Sequence, residues 1–241
     1  MGMDAAILDM DGLMVDTEAM YQRAWVRAAG GLGYQLEPDV YLECVGRTLS
    51  HCEQVLIAQF GAEFPMPIFR QCWNQLWLDD AETHGIPKKP GIDALLDWLH
   101  RHEIPVAVAT SSDRTFAEFS LRRAGLWGEF DHLVTADQVA QGKPAPDLFL
   151  EAASRLGMAP EQCVVFEDSA AGVQAATAAN IPVCLVPDLK APTEDIRALA
   201  WCVVPSLIEA LNKISVPDKK LIIERPIAVL ALHRAIVQPM V

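Results

Sequence analysis

Short runs of consecutive apolar residues recur along the chain, and segments with apolar residues three and four positions apart lie between them. The runs predict strands at residues 5–11, 104–112, 132–137, 163–169, 181–188 and 201–206. Unbroken apolar runs are typical of strands that are covered on both faces, as in a parallel sheet. The spaced segments predict helices at residues 91–102, 114–125 and 146–157. This alternation indicates an α/β fold with a doubly wound parallel sheet.

Residues 17–86 interrupt this alternation. They show helical spacing, as in "EAMYQRAWVRAAG" and "SHCEQVLIAQFG", and lack the pattern of a buried strand. The simplest interpretation is a helical domain that is inserted after the first strand. We therefore predict an α/β core of residues 1–16 and 87–214, a helical cap of residues 17–86, and a C-terminal extension, residues 215–241, to which the sequence assigns no role.

The composition narrows the classes of partner. The chain has 241 residues, of which 51% are apolar, and a formal charge of −13 at pH 7. Such an acidic chain lacks the basic face that nucleic acids and anionic membranes require, so we expect neither as a partner. The six cysteines form no C-x-x-C pair, which favours reduced thiols. Since we recognise neither a signal peptide nor a membrane-spanning stretch, we expect a cytoplasmic protein. We expect it to be a monomer or a weak homodimer.

Polar side chains follow the predicted strands at their carboxyl ends, where ligands bind in open α/β sheets. They are Asp9 and Asp11, Thr110 and Ser111, and Glu167 and Asp168, together with Lys143 in the loop "QGKPAPD". Carboxylates are ligands that Mg²⁺ prefers, whereas hydroxyls and a lysine suit the oxygens of a phosphate. A carboxylate can also attack phosphorus to give an aspartyl-phosphate. The pattern therefore indicates phosphate chemistry with Mg²⁺ as the cofactor.

Four of these residues also have a structural interpretation. Asp9 and Asp11 are compatible with a turn at the end of the first strand. Lys143 is compatible with a solvated loop, and Ser111 with the N-cap of the following helix. An N-cap serine can bind a phosphate as well, because the helix N-terminus favours anions. The presence of all the polar residues together, in one order, favours the chemical interpretation.

Other polar and aromatic residues are better explained by structure. Asp16 and Glu18, in "DTE" ahead of a predicted helix, suit helix capping and the positive end of the helix dipole. Trp25, Trp73 and Trp77 fall at helical positions, and we expect them in the core of the cap rather than at a substrate site. These residues therefore add little to the chemical assignment.

Four motifs resemble, in order and in position, those of the haloacid dehalogenase-like (HAD) superfamily, which consists mostly of Mg²⁺-dependent phosphotransferases. The motifs are "DMDG" (9–12), "ATSS" (109–112), "GKPAPD" (142–147) and "VFEDSAAGVQAA" (165–176), and the resemblance extends to about residue 212. It implies a Rossmann-like core with an inserted cap. The long helical insertion is similar to that of the subgroup that contains β-phosphoglucomutase and many sugar-phosphate phosphatases.

The resemblance also implies a role for each motif residue. Asp9 would be the nucleophile and Asp11 the general acid and base. Thr110 or Ser111 would hold the phosphoryl oxygens together with Lys143. The residues that would bind Mg²⁺ are Asp9, Asp11 through its backbone carbonyl, Asp168 and, in or just outside the coordination sphere, Glu167.

The function implied by the resemblance is a Mg²⁺-dependent phosphatase that hydrolyses a small phosphorylated metabolite, such as a sugar or nucleoside phosphate, through an aspartyl-phosphate. One alternative is a sugar-phosphate mutase, but the mutase carries a histidine where this chain has Tyr21, which favours hydrolysis. A second alternative is a non-catalytic protein that binds phosphometabolites, which the intact set of acids disfavours. Dehalogenases lack the aspartate that Asp11 supplies. For Arg47 in "CVGRTLS", a surface charge and a substrate-reading cap residue both remain open.

Overall fold

The computed structural model describes residues 3–45 and 49–214 of the chain. These residues fall into two compact units. One unit runs up to Val15 and resumes at Lys88, and the other comprises Asp16–Pro87. Arg47 and the C-terminal extension, residues 215–241, lie outside the described residues, so the expectations stated for them stay predictions.

The first unit is an α/β domain, and the unit inserted into it consists of helices. The strands are β1 Ala5–Leu8, β2 Val106–Ala109, β3 His132–Val134, β4 Cys163–Glu167, β5 Val183–Leu185 and β6 Cys202–Val203. The helices of the inserted unit are α1 Thr17–Gly31, α2 Pro38–Cys44, α3 Leu49–Phe60 and α4 Met66–His84. Those of the α/β unit are α5 Ile92–Arg101, α6 Arg114–Arg123, α7 Asp147–Arg155, α8 Ala170–Ala178, α9 Glu194–Leu199 and α10 Leu207–Ile214. Among the described residues, the helices fall short of the length and apolarity that crossing a membrane requires.

Within the described residues, six strands form one parallel sheet in the order β3-β2-β1-β4-β5-β6. The predicted α/β fold with a doubly wound parallel sheet is therefore confirmed. The strand order reverses between β1 and β4. In sheets of this kind, ligands bind beyond the carboxyl ends of the strands at that reversal.

The strands are shorter than the apolar runs that predicted them. β1 ends at Leu8 rather than at Asp11, and β6 keeps only Cys202–Val203 of the run 201–206. The surplus residues include the polar ones at the carboxyl ends, which leave the ladder and enter loops. The predicted boundaries were wrong there because the apolar runs continue past the point at which regular strand pairing ends.

Both faces of the sheet are buried. Ala5 and Ile7 of β1 pack in a core with Phe149 of α7 and Val173 of α8. The alternate residues of β1 point to the opposite face, and they are fully buried too. Burial on both faces is the physical reason for the unbroken apolar sequence of this strand.

The inserted unit has an aromatic core of its own. Trp25 meets Tyr41 edge-on, with ring centroids 5.3 Å apart. Trp77 is buried and stacks on Tyr21 at 5.2 Å between centroids. Trp73 is partly buried against the same cluster. The prediction that these tryptophans belong to the core is therefore confirmed.

The start of α1 differs in detail from the capping interaction that the sequence suggested. Asp16 occupies the N-cap position, but among the described residues its side chain accepts no capping hydrogen bond from the helix. Glu18, in the first turn, accepts a hydrogen bond from the Tyr41 hydroxyl, with 2.8 Å between the two oxygens. Asp16 therefore lies at the predicted N-cap position without the side-chain hydrogen bond of a cap, and Glu18 in the first turn links α1 to α2.

Candidate active site

Polar residues at the strand ends meet where the strand order reverses. Asp9 directly follows β1, and its backbone N–H donates to the carbonyl of Phe166 in β4 at 3.0 Å. Thr110 directly follows β2, and its N–H donates to the carbonyl of Val134 in β3, also at 3.0 Å. Glu167 is the last residue of β4. These hydrogen bonds continue the sheet by one residue, and they therefore fix the backbone from which the side chains of the site project.

Lys143 lies between two of these acids. Its side chain is 4% exposed, and its ammonium group donates to Asp9 Oδ1 and, at 2.7 Å, to Glu167 Oε1. A third bond, 3.1 Å long, reaches the carbonyl of Ala109. Burial lowers the pKa of Lys143, but the charges of the two carboxylates outweigh burial and hold this pKa above its ordinary value. Lys143 is therefore a buried, charged residue, and its interpretation as a solvated loop lysine is wrong.

Three carboxylates share this region, and we call Asp9, Glu167 and Asp168 the acidic cluster. Their oxygens lie within 4.8 Å of one another. Burial raises the pKa of Asp9 to about 8, while Lys143 opposes and Glu167 reinforces the shift. Burial also raises the pKa of Asp168, and the charges of Glu167 and Asp9 act in the same direction. The charged forms of these acids therefore repel one another in a site with little solvent.

The donor set of the acidic cluster fits a hard divalent cation. One buried lysine can balance only one of the three carboxylates, so two negative charges would remain with all three ionised. Buried charges of this kind are retained when they are paired or bound to a metal. Carboxylate oxygens are the ligands that Mg²⁺ prefers. Asp9, Glu167 and Asp168 are therefore the residues that would hold such a cation.

Residues at the start of α8 hold Glu167 in place. Its Oε2 accepts a hydrogen bond from the Ser169 backbone N–H at 2.7 Å and another from the Ser169 hydroxyl at 2.9 Å. The N–H of Gly172 donates to the same hydroxyl at 3.0 Å. A β-carbon on Gly172 would overlap the Glu167 carboxyl group. The glycine in "DSAAG" therefore allows α8 to approach the acid.

Asp11 has different neighbours from Asp9. It is half-buried, and its Oδ2 accepts a hydrogen bond from the Ser112 hydroxyl at 2.8 Å, with the Thr110 hydroxyl at 3.4 Å. Thr110 in turn accepts a hydrogen bond from the Ser112 N–H at 3.0 Å. Ser112 was missed by the sequence analysis. Its position in "ATSS" directly after β2 is the signal that could have found it.

Ser111 is exposed. Its alternative interpretation as a helix N-cap is wrong, because the N-cap of α6 is Asp113, whose Oδ1 accepts a hydrogen bond from the Phe116 N–H at 2.9 Å. Aspartate and serine are about equally good N-caps, so sequence alone does not choose between them. A role of Ser111 in phosphate binding stays a prediction.

The structure describes one of the two cap residues that were considered for contact with a substrate. Tyr21 is half-buried in the inserted unit, where its ring contacts Trp73 and Trp77 at 5.7 and 5.2 Å between centroids. Arg47 lies outside the described residues. A role in substrate selection therefore stays a prediction for both residues.

The fold and this group of side chains define a class of protein. The family described as haloacid dehalogenase-like hydrolase matches residues 6–186 of the chain, a range that runs from β1 through β5. The chain therefore belongs to the haloacid dehalogenase-like hydrolase family. The resemblance drawn from the four sequence motifs is confirmed.

Several proteins that are similar in sequence are named as phosphatases. The fructose-1-phosphate phosphatase YqaB of Escherichia coli (strain K12) is 37% identical over 179 residues, which are 73% of this chain and 92% of that protein. A phosphorylated carbohydrates phosphatase of Thermotoga maritima is 33% identical over 179 residues, 74% of this chain and 82% of that protein. A HAD family hydrolase from Deinococcus radiodurans R1, solved with bound phosphate and sodium, is 28% identical with a TM-score of 0.75, and the match covers 87% of this chain and 93% of that one.

Proposed function

We propose that this protein is a Mg²⁺-dependent phosphatase that hydrolyses small phosphorylated carbohydrates through an aspartyl-phosphate on Asp9. The protein is a phosphoric monoester hydrolase, the class to which its named relatives belong. The observation that carries the finer proposal is the buried pair of Asp9 and Lys143 beside two further carboxylates. A carboxylate with a purely structural role has no need of three charged neighbours at this depth, because burying them costs free energy.

The first step would be an attack by Asp9 on the phosphorus of the substrate, with breakage of the bond from phosphorus to the sugar oxygen. Asp11 would donate a proton to that leaving oxygen. The charge of Lys143 would stay beside Asp9 throughout, since its hydrogen bonds to Asp9 and Glu167 orient it. Mg²⁺, when bound, would neutralise phosphoryl oxygens and thereby reduce their repulsion of the nucleophile.

The second step would be hydrolysis of the aspartyl-phosphate. A water molecule would attack phosphorus, and Asp11, now ionised, would take its proton. The bond between phosphorus and Asp9 would break, which releases inorganic phosphate and restores the carboxylate. The hydrogen bond from Ser112 would hold Asp11 in reach of the reacting oxygen in both steps.

A free-phosphate assay tests the proposal. The substrates are fructose 1-phosphate, a hexitol phosphate and a nucleoside 5′-monophosphate, each with Mg²⁺ and with EDTA. We expect the sugar phosphates to be hydrolysed fastest, in Mg²⁺ alone, and the Asp9→Asn variant to be inactive toward every substrate. Full activity in EDTA would contradict the cation, and full activity of Asp9→Asn would contradict the nucleophile. Binding without turnover would indicate a non-catalytic phosphometabolite-binding protein.

A further inference from the structure

Asp188 is a fourth carboxylate near the acidic cluster. It follows β5, in which Leu185 pairs with Glu167 of β4. The N–H of Val186 continues this pairing, because it donates to the Glu167 carbonyl at 2.7 Å. The chain that leads from β5 to Asp188 is therefore held beside the end of β4, where two members of the cluster lie.

One carboxylate oxygen of Asp188 is paired and the other is not. The side chain is 10% exposed. Its Oδ1 accepts a hydrogen bond from Lys89 Nζ at 2.6 Å. Its Oδ2 is buried and, within the part of the chain that the structure describes, has no hydrogen-bond partner. Since a buried acceptor without a partner is unfavourable, this oxygen requires a hydrogen-bond donor other than the described residues.

The unpaired oxygen of Asp188 lies close to Asp168, a member of the acidic cluster. A β-carbon placed on Gly12 would overlap Asp168 Oδ2 and would lie 3.2 Å from Asp188 Oδ2. Both oxygens therefore lie close to Gly12, the residue that follows Asp11 in the chain. Burial is the main cause of the raised pKa of Asp168, and the charge of Asp188 contributes to the same shift.

We propose that Asp188 is a positioning residue of the cation site: its Oδ2 accepts a hydrogen bond from the water shell of the divalent cation, and Lys89 fixes the orientation of its carboxylate. The inference rests on the proposed function, because it requires a cation at the acidic cluster. The oxygens that lie within 4.8 Å of one another belong to Asp9, Glu167 and Asp168, and Asp188 is not in this group. We therefore assign Asp188 to the water shell of the cation and not to direct coordination.

The chemistry of the pair suits that role. Mg²⁺ keeps several of its waters in proteins, and groups that accept hydrogen bonds from the ligand shell tune the affinity. A water bound to a cation directs its hydrogens outward, and an ionised carboxylate is a strong acceptor for them. Lys89 and Asp188 together are neutral, so the pair adds an acceptor without adding net charge to an already acidic site.

An adjacent ion pair provides a matched control. Lys88 directly precedes Lys89, and its Nζ lies 2.7 Å from Asp93 Oδ1. The Asp93 side chain is 67% exposed. The change Asp93→Asn therefore removes the same charge from the partner of a neighbouring lysine, at a position outside the acidic cluster.

The experiment is isothermal titration calorimetry with Mg²⁺ on the wild-type protein and on Asp188→Asn, Asp188→Ala and Asp93→Asn. Melting temperatures are recorded without Mg²⁺, and kcat is measured at rising Mg²⁺ concentration. We expect both Asp188 variants to bind Mg²⁺ roughly 10–100-fold more weakly. They should keep the melting temperature of the wild type and recover its kcat when Mg²⁺ is saturating. Asp93→Asn should keep the wild-type affinity.

The outcomes distinguish this inference from the proposed function. Unchanged Mg²⁺ affinity in folded Asp188 variants would overturn the inference and leave the phosphatase proposal standing. A wild-type protein that binds no Mg²⁺ would overturn the proposed cation site itself. Failure of both Asp188 variants to fold would overturn the inference as well, because it would assign Asp188 to the stability of the fold.

Discussion

Asp9 and Asp11 are separated by one residue, yet their surroundings differ. The Asp9 side chain is 8% exposed and is paired with Lys143. Asp11 is half-buried and accepts a hydrogen bond from a neutral hydroxyl, that of Ser112. Two carboxyl groups in unlike environments are suited to unlike roles. The proposed division into a nucleophile and a general acid and base rests on this difference.

An aryl phosphate with a good leaving group separates the two roles. Asp9→Asn should form no phosphoenzyme, because a neutral amide does not replace the carboxylate as the attacking group. Asp11→Asn should still be phosphorylated, since the aryloxide leaves without a proton, but hydrolysis of the intermediate should slow by roughly 10²–10⁴-fold. Intact-protein mass spectrometry after an acid quench measures the phosphoryl adduct. An adduct on Asp9→Asn would show that another residue is the nucleophile.

The serines after β2 provide a second prediction. Ser112→Ala removes the hydrogen bond to Asp11, and bonds to charged groups contribute about 1.5–3 kcal/mol, so we expect kcat to fall by roughly tenfold or more. Ser111→Ala leaves that bond in place, and if Ser111 binds the phosphate through its hydroxyl, KM should rise instead. Steady-state kinetics on both variants measures kcat and KM separately. Equal and small effects would contradict the positioning role of Ser112.

At the scale of elements, the first turn of α8 and the end of β4 are packed too closely for a side chain at Gly172. Gly172→Ala should therefore destabilise the protein by about 1–3 kcal/mol, the usual cost of overpacking. Chemical denaturation measures the change. Gly30→Ala in α1 is the control, because a β-carbon there has no described neighbour within 4 Å. It should stabilise the protein by up to about 1 kcal/mol through helix propensity. Equal effects of the two changes would contradict the packing argument.

The elements differ in how far the sequence predicts them. β1 was predictable because every one of its residues is buried and the apolar run is unbroken. α2, Pro38–Cys44, was not predicted, since seven residues are too few to establish a helical period. The length of the edge strand β6 was overestimated, because its residues are only partly buried and its apolar run continues into a loop.

The residues of the candidate site also differ in how far the sequence predicts them. Asp9, Lys143 and Glu167 belong to local motifs, so the sequence identified them, and the structure brings them together. Ser112 and Asp188 were missed although Ser112 ends the motif "ATSS" and Asp188 ends a predicted strand. Their partners, Asp11 and Lys89, lie about a hundred positions away, and the sequence does not show these pairings. The predicted strand 181–188 ended at Asp188. The strand-end rule that selected Asp9 would have selected this aspartate as well.

At the scale of the whole molecule, the proposed cation site would link stability to Mg²⁺. A ligand that binds only the folded state stabilises it by about 2.7 kcal/mol when its concentration is 100 times its Kd. We therefore expect Mg²⁺ to raise the melting temperature and EDTA to lower it, as measured by calorimetry. Asp9→Asn, which removes one oxygen donor from the cluster, should weaken this response. Identical melting temperatures in Mg²⁺ and EDTA would contradict the proposed cation site.

The fate of the proposed aspartyl-phosphate would decide whether the enzyme releases phosphate or transfers it within a sugar. A phosphatase must admit one water molecule to the intermediate, whereas a mutase must exclude it. The mutase that this chain resembles carries a histidine at the position of Tyr21. Here the ring of Tyr21 stacks on Trp77 and meets Trp73 edge-on, so it contributes to the aromatic core of the inserted unit.

We therefore expect β-glucose 1-phosphate to yield glucose and inorganic phosphate, with no accumulation of glucose 6-phosphate and no requirement for a sugar bisphosphate. Phosphorus NMR follows glucose 1-phosphate, glucose 6-phosphate and inorganic phosphate in one sample. Tyr21→Phe is the control, since it keeps the ring that stacks on Trp77 and removes only the hydroxyl. It should also release phosphate without forming the isomer. Interconversion of the two glucose phosphates that outpaces phosphate release would contradict the phosphatase proposal, because it would show that the intermediate is protected from water.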